Sequence, residues 1–163
     1  MANVIYAPTP YKLNNNLSVF LAGSIEMGNA ENWQDTVIDA LKEYNYIDIL
    51  NPRRTDWDSN WNQSIDNPQF NEQVNWELDR LEDADYIFMY FQPKTISPIS
   101  LLELGMFAAH TAHKTMIVVC PEGYFRKGNV DIVCKRERID YVCTDLESGI
   151  SILKDVMGVN ENE

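Results

Sequence analysis

One short run, Ser97-Pro-Ile-Ser-Leu-Leu-Glu-Leu-Gly105, sets a single carboxylate, Glu103, into a segment otherwise built from apolar and small residues. Two roles fit it. Ser100-x-x-Glu103 has the spacing of a capping box, in which the glutamate reaches back to a backbone N–H. Pro98 suits a first helical position, which makes Ser97 an alternative N-cap. The other role is chemical. A helix N-terminus favours an anionic carboxylate, and such a group can attack an electrophilic carbon to form an ester that a second acceptor resolves. A second acid would complement it. Glu77 stands next to Trp76, with Gln73 one turn earlier. Two acids at one ligand can divide nucleophile and proton-transfer roles, as in glycoside chemistry. The nearby Asp79, Glu82, Asp83 and Asp85 read as a solvated face.

Other runs carry weaker signals. Asn51-Pro-Arg-Arg54 offers Arg53 and Arg54 either for ion pairs or for recognition of a carboxylate, phosphate or base. Ala22-Gly-Ser-Ile-Glu-Met-Gly-Asn29 can approach a ligand through its backbone at Gly23, but it lacks the dinucleotide-binding fingerprint. His110 and His113 suit contacts at a helix C-terminus, and no cysteine–histidine spacing indicates a metal.

These groups need elements to hold them. Short apolar runs at 18–23, 47–50, 86–91, 116–120 and 139–143 read as strands. Segments 31–44, 71–84, 97–114 and 146–157 have helical periodicity. The alternation predicts an α/β fold, a flavodoxin-like doubly wound sheet of five parallel strands in a single domain over 18–158. Ligands in that architecture bind beyond the carboxyl ends of the strands. Residues 1–17 are expected to form an N-terminal arm or added edge strand, and 159–163 a disordered tail. Residues 51–70 form a long polar connection bearing Trp57 and Trp61. Loops of that length are uncommon unless functional, so a lid or substrate wall stands beside a passive surface loop.

The totals narrow the class. The chain has 163 residues, 45% of them hydrophobic, which fits one globular domain. No apolar run approaches the roughly 20 residues of a membrane span, and the N-terminus does not read as a signal peptide. A net charge of −12 disfavours nucleic-acid polymers as partners. Cys120, Cys134 and Cys143 are an odd set that reads as reduced thiols in a cytoplasmic protein.

Ser18-Val-Phe-Leu-Ala-Gly-Ser-Ile25, Asn51-Pro-Arg-Arg-x-x-Trp57, Gln73–Phe91 and Ser97–Gly105 together resemble nucleoside 2-deoxyribosyltransferases and their relatives, the nucleotide N-glycoside hydrolases. Lys127–Arg136 looks like a later piece of the same branch, so the resemblance spans roughly 18–138. It implies that Glu103, in Glu103-Leu-Gly105, attacks the sugar C1′ and expels the base. Glu77, eight residues before the strand-opening Asp85, would protonate that base. The resemblance also implies a small nucleoside or nucleotide substrate, no cofactor and no metal. It further implies a homo-oligomer in which a neighbour lends Asn129 to the sugar 5′ side. Phe20, Gly23, Ser24, Asn51, Arg53, Ser97 and Ser100 are the matching substrate-side positions. Trp57, Trp61 or Trp76 would stack on the base, the first two if the long loop folds over the site.

Three positions depart from the family pattern. Ser97 stands where transferases often carry aspartate, Phe20 where they often carry tyrosine, and Glu26 where monophosphate hydrolases carry arginine. The alternative reading is therefore a non-catalytic nucleotide-binding module that keeps the pocket. A scaffold that offers its acidic surface to a protein partner is a third.

Overall fold

The computed structural model describes residues 1–26, 30–110 and 114–159. Its elements, in chain order, are β1 (Asn3–Tyr6), β2 (Leu17–Gly23), α1 (Trp33–Leu41), β3 (Ile47–Asn51), α2 (Pro68–Asp83), β4 (Tyr86–Tyr90), α3 (Pro98–Ala108), β5 (Thr115–Val119), α4 (Lys127–Arg136), β6 (Tyr141–Cys143) and α5 (Leu146–Val156). The strands form one sheet in the order β1-β3-β2-β4-β5-β6, and every neighbouring pair is parallel.

The doubly wound architecture is as expected, with one correction: the sheet has six strands, not five. The additional strand is β1, which pairs Ile5 with Leu50 at the edge beside β3. Only one face-inward position, Ile5, is buried in its four residues. So short and exposed a strand carries little hydrophobic signal of its own.

A buried acid fixes that arm. Asp48, in β3, is fully buried. Its carboxylate accepts from Asn3 Nδ2 at 3.3 Å, Tyr11 OH at 3.1 Å, Asn14 Nδ2 at 2.7 Å and Asn16 Nδ2 at 3.0 Å. Burial alone would raise the Asp48 pKa. The donors Asn16, Asn14, Tyr11 and Asn3 outweigh it and hold the carboxyl below its ordinary value. At the same end of the sheet, Ser18 donates through both N and Oγ to Asp85 Oδ2 (2.9 and 3.0 Å), which pins the start of β2 to β4.

Helices cover both faces, so the strands are apolar on both sides rather than alternating. Val19, Phe20, Leu21 and Ala22 in β2 are all buried. Phe20, Ala22, Leu50, Ile87 and Met89 meet Trp76 and Leu81 of α2, Leu104 and Phe107 of α3, and Val130 and Cys134 of α4. Val19, Leu21, Ile49, Phe88 and Ile117 meet Trp33 and Val37 of α1 and Leu153 of α5. Val159 joins that second cluster. The remainder of the expected tail, 160–163, lies outside the described residues, as do His113 and the loop residues Gly28 and Asn29.

One helix begins earlier than expected and another was not expected at all. Helix α2 begins at Pro68, not near 71. Asn67 is the N-cap, accepting from Gln69 N and Phe70 N, with proline at the first helical position. Segment 127–136 is helical, although its weak apolar periodicity gave no expectation of it.

Candidate active site

Glu103 lies in the second turn of α3, which leaves the carboxyl end of β4. The capping-box role fails on geometry. The helix starts at Pro98, Ser97 occupies the N-cap position, and Ser100 is already a buried residue within the helix. Ser97 is in the left-handed region at φ 49 and makes no side-chain cap of its own. The start of α3 is tied down from outside instead. Glu26 Oε1 accepts from Ile96 N at 3.0 Å and Ser97 N at 2.7 Å, and Tyr124 OH donates to Ile96 O at 2.7 Å. Glu103 is therefore free of capping duty. It is 8% exposed, and its Oε2 is buried without a hydrogen-bond partner. A carboxylate oxygen left this way is costly if charged.

Glu77 faces the same site from α2. Gln73 Nε2 donates to Glu77 Oε1 at 2.9 Å and to Pro52 O at 3.1 Å, while Gln73 Oε1 accepts from Arg54 Nη1 at 3.3 Å. Glu77 keeps some exposed surface as a residue, but its carboxyl is enclosed. That burial pushes its pKa up to about 7 against the lowering effect of the Gln73 N–H. Glu103 is raised well above the carboxylate range, first by burial and then by the charge of Glu77. Two enclosed carboxylates that feel each other resist ionising together, so their titrations are linked.

Around this pair the two loops at the switch point, after β2 and after β4, are stitched together. Ser24 Oγ lies 2.5 Å from Ser97 Oγ and 2.8 Å from Thr95 Oγ1, and it accepts from Gln92 N at 2.9 Å. Thr95 Oγ1 donates to Gln92 O at 2.8 Å and lies 2.9 Å from Ser97 Oγ. The Ser24 and Ser97 hydroxyls are thus engaged in fastening loops. Gly23 makes this approach possible. Its φ is 137, and a Cβ there would collide with the Tyr90 backbone across the β2–β4 pair.

The other sequence-nominated positions divide. Phe20 is 1% exposed and tilts against Trp76, with ring centroids 6.4 Å apart, on the sheet face that carries both glutamates. Trp76 is a core residue whose Nε1 donates to Thr9 O at 2.7 Å, so it is not a free stacking surface. Trp57 and Trp61 meet edge-on at 5.0 Å, and Arg54 lies 5.2 Å over the Trp61 ring. The long loop therefore reaches the site through Arg54 and Gln73. Arg53 instead donates to the Ala30 and Glu31 carbonyls at 2.7 and 3.0 Å, and Asn51 Oδ1 accepts from Arg53 N. Both help build the wall of a hollow of about 420 Å³ at the ends of β1 and β3, lined also by Tyr6, Asn32, Asp35 and Asp56. The guanidinium groups that line that hollow are engaged with protein partners. Arg54 links that hollow to the acid pair through Gln73. Asn129 is exposed on α4 beside a small hollow with Leu101, Leu104 and Gly105. His110 Nδ1 contacts Met106 O at 2.9 Å, in keeping with a helix-end role.

With that geometry in place, comparison with known proteins is decisive at the family level. A family model described as "Nucleoside 2-deoxyribosyltransferase like" matches residues 16–124, more than half of the chain. The chain belongs to the nucleoside 2-deoxyribosyltransferase-like family. Among curated proteins none matches it. Six solved chains do. One is a conserved protein from Enterococcus faecalis, 10% identical, with a TM-score of 0.59 over 86% of this chain and 99% of that one; at such identity it speaks to the fold alone.

Within this nucleoside 2-deoxyribosyltransferase-like chain, sequence reasoning had singled out both glutamates. It had not found Thr95 or the strut formed by Arg54 and Gln73. The spacing Gln73-x-x-x-Glu77 places the amide and the acid on one helix face, which was a signal for half of that strut. Arg54 offered none, since its partner lies in another element. Among the described residues no group of three or more histidines, cysteines or acids is placed to hold a metal ion, and no helix is long and apolar enough to cross a membrane. The three cysteines are free, and burial pushes Cys120 up to about 11.

Proposed function

We propose that this chain cleaves or exchanges the N-glycosidic bond of a small nucleoside-type substrate through a covalent glycosyl-glutamate intermediate. The observation that carries the reading is the enclosed Glu103–Glu77 pair at the switch point. Both groups are raised by burial, and one lacks any partner for a buried oxygen. In the first half-reaction a Glu103 oxygen bonds to C1′ as the C1′–N bond breaks. The electron pair leaves with the base, and Glu77 supplies the proton that neutralises it. In the second half, water or another base attacks C1′ and gives its proton to Glu77. The Glu103–C1′ bond breaks as the new bond forms, and its electron pair restores the carboxylate. The proton shared by the pair supplies an ionised nucleophile and a neutral acid at once, after a single transfer within the pair.

Glu26 bears on the substrate. Its carboxylate occupies the two amides at the start of α3, where a ligand phosphate would otherwise be held. That favours an uncharged nucleoside over a 5′-phosphate. Ile99, Leu102 and Met106 lie exposed at helical spacing on α3, with Ile132 exposed on α4. Such a face suits self-association, and a second copy would bring further groups towards Gly105 and Asn129. The decisive experiment is chromatography after incubating the protein with nucleosides, deoxynucleosides and their monophosphates, with and without a second free base. Base release is expected, with Glu103→Ala lowering it more than about 10³-fold while circular dichroism is unchanged. Full activity in that variant would remove Glu103 from the mechanism.

A second reading, a nucleotide-binding module without turnover, is favoured by one observation. The Ser24 and Ser97 hydroxyls are engaged with each other and with Thr95, which leaves fewer donors for the sugar. Calorimetric binding with no base release across the same panel would establish it.

A further inference from the structure

Gln73 is 3% exposed and clamped at both ends of its amide. Nε2 meets Pro52 O, a group that only accepts, and Oε1 meets the Arg54 guanidinium, a group that only donates. The amide cannot be flipped without losing both contacts, so its orientation follows from its partners. Its second N–H must then point at Glu77 Oε1, 2.9 Å away. That oxygen is obliged to accept. Any proton carried by Glu77 is consequently on Oε2.

The same contact discriminates between the two acids. A donor aimed at a carboxylate favours its charged form. Glu77 has one, whereas Glu103 Oε2 is buried without a partner. The groups facing Glu77 are few. Glu103 approaches from α3 with like charge. Arg54 of the long loop acts at one remove, through Gln73, and is itself engaged by Asp56 at 2.8 and 2.9 Å and influenced by Glu72. The neutral Gln73 lies on α2 itself, and β2 presents the apolar Phe20 to this face.

We propose that Gln73, fixed between the Pro52 carbonyl and the Arg54 guanidinium, is the positioning residue that decides where the proton of the Glu77–Glu103 pair rests: on Glu103 before substrate binds, and on Oε2 of Glu77 after transfer. The inference rests on the acid-pair reading above and deepens it. It makes the resting nucleophile neutral, so that Glu103 becomes reactive only when the proton crosses to Glu77, the group that hands it to the base. Arg54 also lies over Trp61, so the same strut ties the long loop to the acid.

The test is carboxyl-carbon NMR of the full chain labelled at glutamate, with signals assigned through Glu77→Gln and Glu103→Gln. Glu77 is expected to titrate below Glu103. Gln73→Met should move the Glu77 midpoint up by about one to two pH units, the worth of a hydrogen bond to a charged group. Arg54→Met should move it less, in the same direction. A Glu77 midpoint unmoved by Gln73→Met overturns the proposal, and so does a Glu103 midpoint below that of Glu77 in the unaltered protein. Should Gln73→Met fail to fold by circular dichroism, the unaltered chain still decides. The Gln73 side-chain amide signals must shift with the Glu77 midpoint, and independence of the two overturns it. Base release over pH is the parallel readout, with its pH limbs moving alongside these midpoints. Titrations as expected in a chain that releases no base would sustain the proton placement and instead sink the glycosidic reading.

Discussion

Asp48 in β3 and Glu103 in α3 are both buried acids, 0% and 8% exposed, and they are treated in opposite ways. Asp48, near the amino ends of the strands, is met by four side-chain donors drawn from residues 3 to 16. Its charge is stabilised, and in return it fastens the arm that adds β1 to the sheet. Glu103, beyond the carboxyl ends, has a buried oxygen with no donor and another acid for a neighbour. The first carboxylate is spent on structure. The second is held where its charge is disfavoured, as suits a group that must gain and lose a proton or a bond during a reaction. Burial of an acid alone therefore says little about its role, and the count of donors around it says much more.

Three substitutions break or sharpen that contrast. The largest effect is expected from Asp48→Ala, which strands four donors and should cost about 3 kcal/mol or more in urea unfolding. Base release per folded molecule should stay unchanged. The Asp48 pKa is lowered by folding, so its contribution is present above its unfolded value of about 3.9 and is lost as pH falls.

Glu103→Gln should do the reverse, abolishing base release and stabilising the fold by about 1–3 kcal/mol at pH 8. The sign follows from the raised pKa values. Stability from the pair is fully present below the unfolded value of about 4.3 and is lost as pH rises, for Glu77 through about 7. The gain in Glu103→Gln should accordingly vanish when unfolding is measured near pH 4. If the variant is destabilised at pH 8 as Asp48→Ala is, the two acids do not differ in kind. The smallest effect is expected from Glu26→Gln. This acid is met by two backbone amides at the loop joint, and its neutral form should cost about 0.5–1 kcal/mol of thermal stability. The same variant should improve binding of a nucleoside monophosphate relative to the nucleoside, checked by calorimetry.

Much of the fold was legible because its strands are short apolar runs punctuated by Gly23, Asn51-Pro52 and Pro121, and its helices carry a 3.6-residue period. β1 was left open between an arm and an edge strand because its pairing is decided by Asp48, forty-five residues away from Asn3. Among candidate site residues, Glu103 and Glu77 were nominated on the two helices that carry them, α3 and α2. Their neighbours were not so readable. Arg53 and Arg54 look equivalent in sequence, yet one is engaged by carbonyls near α1 and the other by Gln73 and Trp61. Adjacent residues leave a turn in different directions, and no local pattern says which.

The sequence by itself determined the parallel α/β class, because hydrophobic periodicity and strand–helix alternation are local properties written residue by residue. It also nominated Glu103 and Glu77 as candidate acids. Only the tertiary structure decided that Ser100 does not start the helix and that Glu26 ties down its entry. It alone decided that Glu103 Oε2 is left without a donor while Gln73 serves Glu77. Hydrogen-bond partners and the desolvation of a charge depend on atoms brought together from distant parts of the chain, which no local pattern records.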